Sequence, residues 1–364
     1  MSGTSLVAWS HVTAATQPTP SHERRYLWDR GRTYFNEPLL FLRPPRSKRP
    51  SADMLFSPSR VHRVYSSATG ATFDPTDFKI EGRRIIYRGA AALPQLNSSE
   101  LFPAHAGPNA IGHHRDGRRC LLYAAGGPMF HRLQVCIDYE TDSSWEGPVP
   151  ERQAIRLPRL QARLAHGRPI NIVIIGDSIS AEKDVSKVLN EPPRQPFYGE
   201  LLSARLHAHT GAPINLFNLS VDGKNSTWGL QQAASAAELE PNLVIVAFGM
   251  NDASDRMPPS QFAANIQDIC NSIIRKCSSA EFALVVGMDA NPDWSAASLD
   301  LKPAYRKALQ PLRRPGIVIC DIKAIWEHVS ARKGFLSLTG NGVNHPNDYG
   351  HRLYADVIAH SILP

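Results

Sequence analysis

INIVIIGDSIS, residues 170–180, decides the fold. Its first six residues form a short, mostly apolar run that ends at Gly176, which reads as a strand covered on both faces. Four more runs share that character: INLFNL (214–219), LVIVAF (243–248), FALVVG (282–287) and GIVICD (316–321). Helical stretches lie between and after them, near 197–209, 226–238, 260–277, 302–314 and 346–362. Apolar strands separated by helices predict a parallel sheet with helices on both sides. Such sheets bind ligands at the C-terminal ends of their strands, so functional residues are expected just after each run.

Chemistry-bearing residues stand at those places. After the first run, Gly176 permits a tight turn, Asp177 can cap or brace it, and Ser178 is expected at the start of the next helix. Its Oγ would leave the sheet, and its amide would be one of the unpaired donors that suit an oxyanion. After the second run, in NLSVDGKNSTWG, Gly223 can present a bare N–H. After the third, in AFGMNDAS, the Asn251 side chain can donate to the same oxyanion, and Asp252 can hold the loop. Near the C-terminus, NGVNHPNDYGH places His345 before a proline and the last helix, where it can act as general base and then general acid. Each residue alone reads equally well as a helix cap, a turn residue or a surface histidine. Their order, at the ends of strands one, two and three and before the final helix, is what points to catalysis.

On IIGDSIS, NLSVDGKNS, FGMND and NHPND, residues 168–364 resemble the SGNH hydrolases, or GDSL-type esterases. The resemblance implies a three-layer α/β/α flavodoxin-like domain and ester hydrolysis through an acyl-enzyme. Ser178 is then the nucleophile and His345 the base, with the oxyanion hole made by the Ser178 and Gly223 amides and Asn251. Neither a metal nor an organic cofactor is implied. The family usually carries Asp three residues before the His; here that residue is Gly342. Asn341, four before, and Asn344, directly before, are uncharged and support an imidazolium less well than a carboxylate. Asp348, three after, could serve only if the loop folds back, and it suits the start of the final helix. A Ser–His dyad is therefore expected, with Asn341 and Asp348 as candidate third members.

Residues 1–160 have a different texture. They are short, Gly/Pro-punctuated and β-like: HRVYSS (62–67), FKIEGRRIIY (78–87) and CLLYAA (120–125) read as strands. Leu133, Val135, Ile137 and Tyr139 alternate as in a half-buried strand. The expectation is an antiparallel, jelly-roll-like β-sandwich of seven or eight strands. With SSWEGPVP and LPRL leading into the second half, this arrangement resembles two-domain carbohydrate acetylesterases of the same superfamily. That resemblance suggests a short acyl group, acetyl, on a carbohydrate or other small ester. It also makes Trp145, Trp228 and Trp294 candidates for sugar stacking, with Asp177 as a further substrate contact. Packing is the competing reading for each tryptophan. A longer-chain lipase, lysophospholipase or thioesterase is the alternative chemistry, and a glycan-binding module on an inactive scaffold is the alternative class.

Composition is consistent with this. The chain has 364 residues, 42% apolar and 20% charged, which excludes a disordered or collagen-like chain. No run approaches the length of a membrane span. The net charge of +7 is concentrated early: Arg43, Arg46, Lys48 and Arg49 form a basic stretch, but no nucleic-acid module accompanies it. Five cysteines without tight spacing are not a disulfide framework, although Cys270 and Cys277 stand two helical turns apart. The opening MSGTSLVAWS lacks a basic region followed by an apolar core, so a cytoplasmic protein is expected.

Overall fold

In chain order the first half forms β1 (Thr33–Leu40), β2 (Leu42–Arg43), β3 (Ser51–Asp53), β4 (Arg60–Tyr65), β5 (Thr72–Phe73), β6 (Phe78–Glu81), β7 (Arg84–Tyr87), β8 (Leu96–Asn97), β9 (Ala110–Ile111), β10 (Leu121–Leu122) and β11 (Gln134–Glu140). The structure, a computed structural model, describes all residues except 1–25, 30, 32, 46–48, 112 and 125. Most of the basic arm, including Arg46 and Lys48, lies outside the described residues. The strands build a four-stranded sheet, β1-β11-β4-β5, a five-stranded sheet, β6-β7-β3-β2-β8, and a β9–β10 pair.

Three expectations need correction. The β2–β8 pair is parallel, so the sheets are not purely antiparallel. FKIEGRRIIY is two strands, because Gly82 (φ +61°) and Arg83 turn the chain between β6 and β7. The β11 strand is buried almost throughout rather than on one face. It lies between β1 and β4, and its polar side chains are satisfied inside. Gln134 Nε2 donates to Thr339 O (3.0 Å), and Asp138 accepts from Asn36 N (2.7 Å) and Arg63 Nε (3.1 Å).

The second half places β12 (Ile170–Gly176), β13 (Ile214–Asn218), β14 (Leu243–Ala247), β15 (Glu281–Val286) and β16 (Ile317–Asp321) where the apolar runs stand. All four pairings are parallel, in the order β13-β12-β14-β15-β16. Strand alternation builds two cores from one sheet. Ile172 and Ile174 face one cluster, with Leu202, Trp326, Leu353 and Ile358 from helices Tyr198–Thr210, Ile322–Lys333 and Asp348–Ile362. Val173 and Ile175 face the other, with Ala233, Ile266, Ile269 and Tyr305 from helices Ser226–Glu238, Pro259–Lys276 and Leu301–Leu309. Each such aliphatic side chain taken out of water contributes about 1.5–3 kcal/mol. Because β12 has its chain neighbours β13 and β14 on opposite sides, the crevice of this topology opens at its C-terminal end.

The two halves share the first core, which also holds Leu39, Met54, Ile85 and Ile137. A buried ion pair joins them: Lys333 at the end of its helix meets Glu37 of β1, with side chains 0% and 2% exposed. Glu37 also accepts from Leu55 N (2.7 Å) and Tyr139 Oη (2.6 Å). Removing one partner of such a pair typically costs about 3–5 kcal/mol. All five cysteines are free thiols. Among the described residues no helix is long and apolar enough to cross a membrane. No group of three or more metal-ligating side chains occurs among them either.

Candidate active site

Ser178 leaves the C-terminal end of β12 on a turn, not on a helix. Residues 178–184 are a succession of turns, and the next helix begins at Tyr198. The expected helix-start position of Ser178 is thus corrected, but its consequence survives. Among the described residues, neither the Ser178 N–H nor the Gly223 N–H has a protein acceptor. Gly223 follows β13 at φ +72°. Asn251, after β14, donates one amide hydrogen to Lys224 O (2.8 Å), which fixes the group and leaves the second hydrogen to donate. Asp252 accepts from Gly249 N (3.0 Å) and Ser226 N (2.9 Å), holding the Asn251 loop to the one after β13.

The imidazole of His345 stands over Ser178. Ser178 Oγ donates to its Nε2 at 2.8 Å. Its Nδ1–H donates to Asp184 Oδ2 at 2.5 Å. The carboxylate requires hydrogen on Nδ1, which leaves Nε2 as acceptor toward the serine. All three residues are buried, at 2%, 3% and 6% exposed for Ser178, Asp184 and His345. A carboxylate therefore does face the imidazole, and the dyad expectation is overturned. Asp184 sits at φ +61°, an uncommon backbone conformation for a residue with a Cβ. Its other oxygen, Oδ1, accepts from Gly126 N at 2.8 Å, a donor from the N-terminal half.

Neither candidate third member touches the ring. Asn341 shapes the histidine loop: its Oδ1 accepts from Val343 N (2.9 Å), Asn344 N (3.0 Å) and His345 N (3.1 Å). Asp348, in the first turn of the final helix, accepts from Ser186 N (2.9 Å) and Ser186 Oγ (2.6 Å). It braces the segment that carries Asp184. Gly342 explains why the usual acid position is empty of one. It lies at φ +89°, and a Cβ there would come within 2.5 Å of Leu122 O and 2.6 Å of the Phe130 ring. The N-terminal half fills the space that an acidic side chain would need, and the carboxylate facing the imidazole comes from the loop that carries Ser178. Only one sequence signal pointed there: three acids, Glu182, Asp184 and Glu191, in a stretch of about 20 residues too long for an ordinary strand-to-helix loop.

The remaining candidates are elsewhere. Asp177 is 3% exposed, and its Oδ1 accepts from Ile179 N (3.1 Å), which braces the turn. Burial pushes its carboxyl up to about 6. Trp228 packs edge-on against Phe248 in the second core (6.5 Å between ring centres). Trp294 packs against the first core and pairs with His114. Trp145 meets His328 (4.6 Å) and donates to Pro148 O.

His351 is fully buried one turn into the final helix and accepts from Tyr198 N at 3.4 Å. Burial first, and then the neighbouring His345, push its imidazole down to about 3, against an ordinary 6.5. A group held neutral in the fold stabilises it fully above the ordinary value. That stability is lost as pH falls through about 6.5 toward 3. His351→Gln is expected to show a shallower fall in urea midpoint than the parent between about pH 7 and pH 4. Parallel pH curves for the two proteins would contradict this.

The model of the GDSL-like Lipase/Acylhydrolase family matches residues 174–353. No curated protein matches the chain. Among solved structures, a two-domain esterase (CEX) active on acetylated mannans is similar, with 21% identity and a TM-score of 0.45. That match covers 58% of this chain and 53% of CEX, so this chain spans about half of that protein. The lipase Lip_vut3 from a goat rumen metagenome matches at 12% identity and a TM-score of 0.44, over 54% of this chain and 100% of its own. A catalytic variant of Axe2, an acetylxylan esterase from Geobacillus stearothermophilus, matches at 14% identity and 0.43, over 53% and 94%.

Proposed function

Residues 174–353 form a domain of the GDSL-like lipase/acylhydrolase family, a carboxylic ester hydrolase domain, and on that premise we propose that this protein hydrolyses short-chain acyl esters through a Ser178 acyl-enzyme. The observation that carries the reading is the continuous hydrogen-bond chain Ser178–His345–Asp184, 2.8 Å and 2.5 Å long.

In this mechanism Ser178 Oγ attacks the ester carbonyl while its proton passes to His345 Nε2. Asp184 supports the imidazolium that forms, and Gly126 N keeps the carboxylate from rotating away. The new oxyanion is met by the Ser178 and Gly223 N–H groups and the second Asn251 amide hydrogen, donors already in place before charge develops. Collapse of the intermediate breaks the bond to the alcohol oxygen, which takes the proton from His345. Water, deprotonated by the same imidazole, then attacks the acyl-serine carbonyl, and a second collapse releases the acid and returns the proton to Ser178.

A short acyl group, acetyl above all, and a polyhydroxylated alcohol suit a nucleophile only 2% exposed. They also suit the charged residues beside it, Lys183 and Asp222, paired at 3.4 Å. The test is a series of p-nitrophenyl esters from acetate to dodecanoate. The expected kcat/KM is highest for acetate and falls at least tenfold by octanoate, since pocket fit discriminates by roughly 10–200-fold per misplaced group. A profile rising with chain length would instead assign a lipase or long-chain thioesterase.

A further inference from the structure

The N-terminal half touches the loops that carry His345 and Asp184 at several points. Ala124 N donates to Asn341 O (3.1 Å), Gly126 N to Asp184 Oδ1 (2.8 Å), and Gln134 Nε2 to Thr339 O (3.0 Å). Leu122 O lies against Gly342. Leu122, Ala124 and Gly126 therefore lie along the His345–Asp184 side of the site.

Within that stretch, Leu122 and Ala124 both face the small core around Phe130. Tyr123, between them, is not part of that core. It is half-buried, and among the described residues its hydroxyl has no hydrogen-bond partner. Burial raises its phenol above the ordinary value, and the charges of Asp184 and Asp222 raise it further. Tyr123 is thus a neutral donor close to both carboxylates, at the rim that includes the Lys183–Asp222 pair.

We propose that Tyr123 forms the leaving-group subsite, contacting the hydroxylated alcohol of the ester as it departs. This deepens the ester-hydrolase reading and rests on it. The direction follows from proton transfer. The alcohol oxygen must receive its proton from His345 Nε2, so it leaves on the histidine side, which Leu122, Ala124 and Gly126 flank. The acyl carbonyl oxygen must instead point toward Gly223 and Asn251. A free phenol hydroxyl, a carboxylate and an ammonium offer both donors and acceptors, which matches a sugar-like alcohol and not a hydrocarbon. The N-terminal half is then part of the substrate site as well as a brace for the acid.

The test uses the full chain and two esters with the same acetyl group: a mono-O-acetylglucose and p-nitrophenyl acetate. The quantity read is the ratio of their kcat/KM values. Tyr123→Phe keeps the ring and the fold and is expected to lower that ratio about five- to tenfold, mainly through KM, the scale of one lost hydrogen bond. Tyr123→Ala should lower it at least as much. A fall confined to Tyr123→Ala assigns the contact to the ring and keeps the subsite. A ratio within twofold of the parent in both variants overturns the proposal. So does a change in preference among p-nitrophenyl acyl chains with the alcohol ratio unmoved. Failure of the parent to hydrolyse p-nitrophenyl acetate at all would refute the ester-hydrolase reading instead, a result separable from either.

Discussion

Ser178→Ala is expected to lower kcat by about 10⁶-fold, the scale seen when the nucleophile of a serine triad is removed. The alanine side chain fits the space of the serine, which is buried at the end of β12, so the fold should persist. His345→Ala should cost about as much, because nucleophile and base act as one unit. The double variant should lose little beyond either single one. The oxyanion donors remain in all three, so a residual rate above background should survive. Single variants within a hundredfold of the parent, or losses that multiply in the double variant, would contradict the assignment.

Asp184→Asn is expected to lower kcat by about 10⁴-fold with a small change in KM, as in a full triad that loses its carboxylate. The amide can still accept or donate at 2.5 Å from Nδ1, but it carries no charge to support the imidazolium. It can also hold the ring in the wrong tautomer by donating to Nδ1. Asp348→Asn is the informative comparison. Its carboxylate binds Ser186, two residues beyond Asp184, so its loss should loosen the loop and cost far less than Asp184→Asn. The reverse order of losses would make Asp348 the functional acid. An Asp184→Asn loss under about tenfold would return the site to the Ser–His dyad.

The catalytic half was legible because both faces of its sheet are covered, which leaves uninterrupted runs such as LVIVAF and INIVII between helical stretches. The candidates Ser178, Gly223, Asn251 and His345 could be named for a related reason: in this topology the residues to consider follow strand ends, and strand ends could be found. Asp184 could not. It lies in a turn segment without periodicity, and the bond that defines its role spans 161 residues of sequence. Gly342 looked like a missing acid until the Leu122 carbonyl and Phe130 ring were seen to occupy its side-chain space. In the N-terminal half, strand alternation misled at β11. Buried polar residues such as Gln134 and Asp138 read as a solvent face, although internal hydrogen bonds satisfy them.

The most direct measurement is to mix the protein with p-nitrophenyl acetate, quench in acid within the first turnovers, and map the acetylated peptide by mass. The account predicts a single acetyl group on Ser178. It should accumulate in the parent and in Asn251→Ala, and be absent from Ser178→Ala. Continued turnover with Ser178 unmodified, or acetyl on another residue that chases into product, would contradict it.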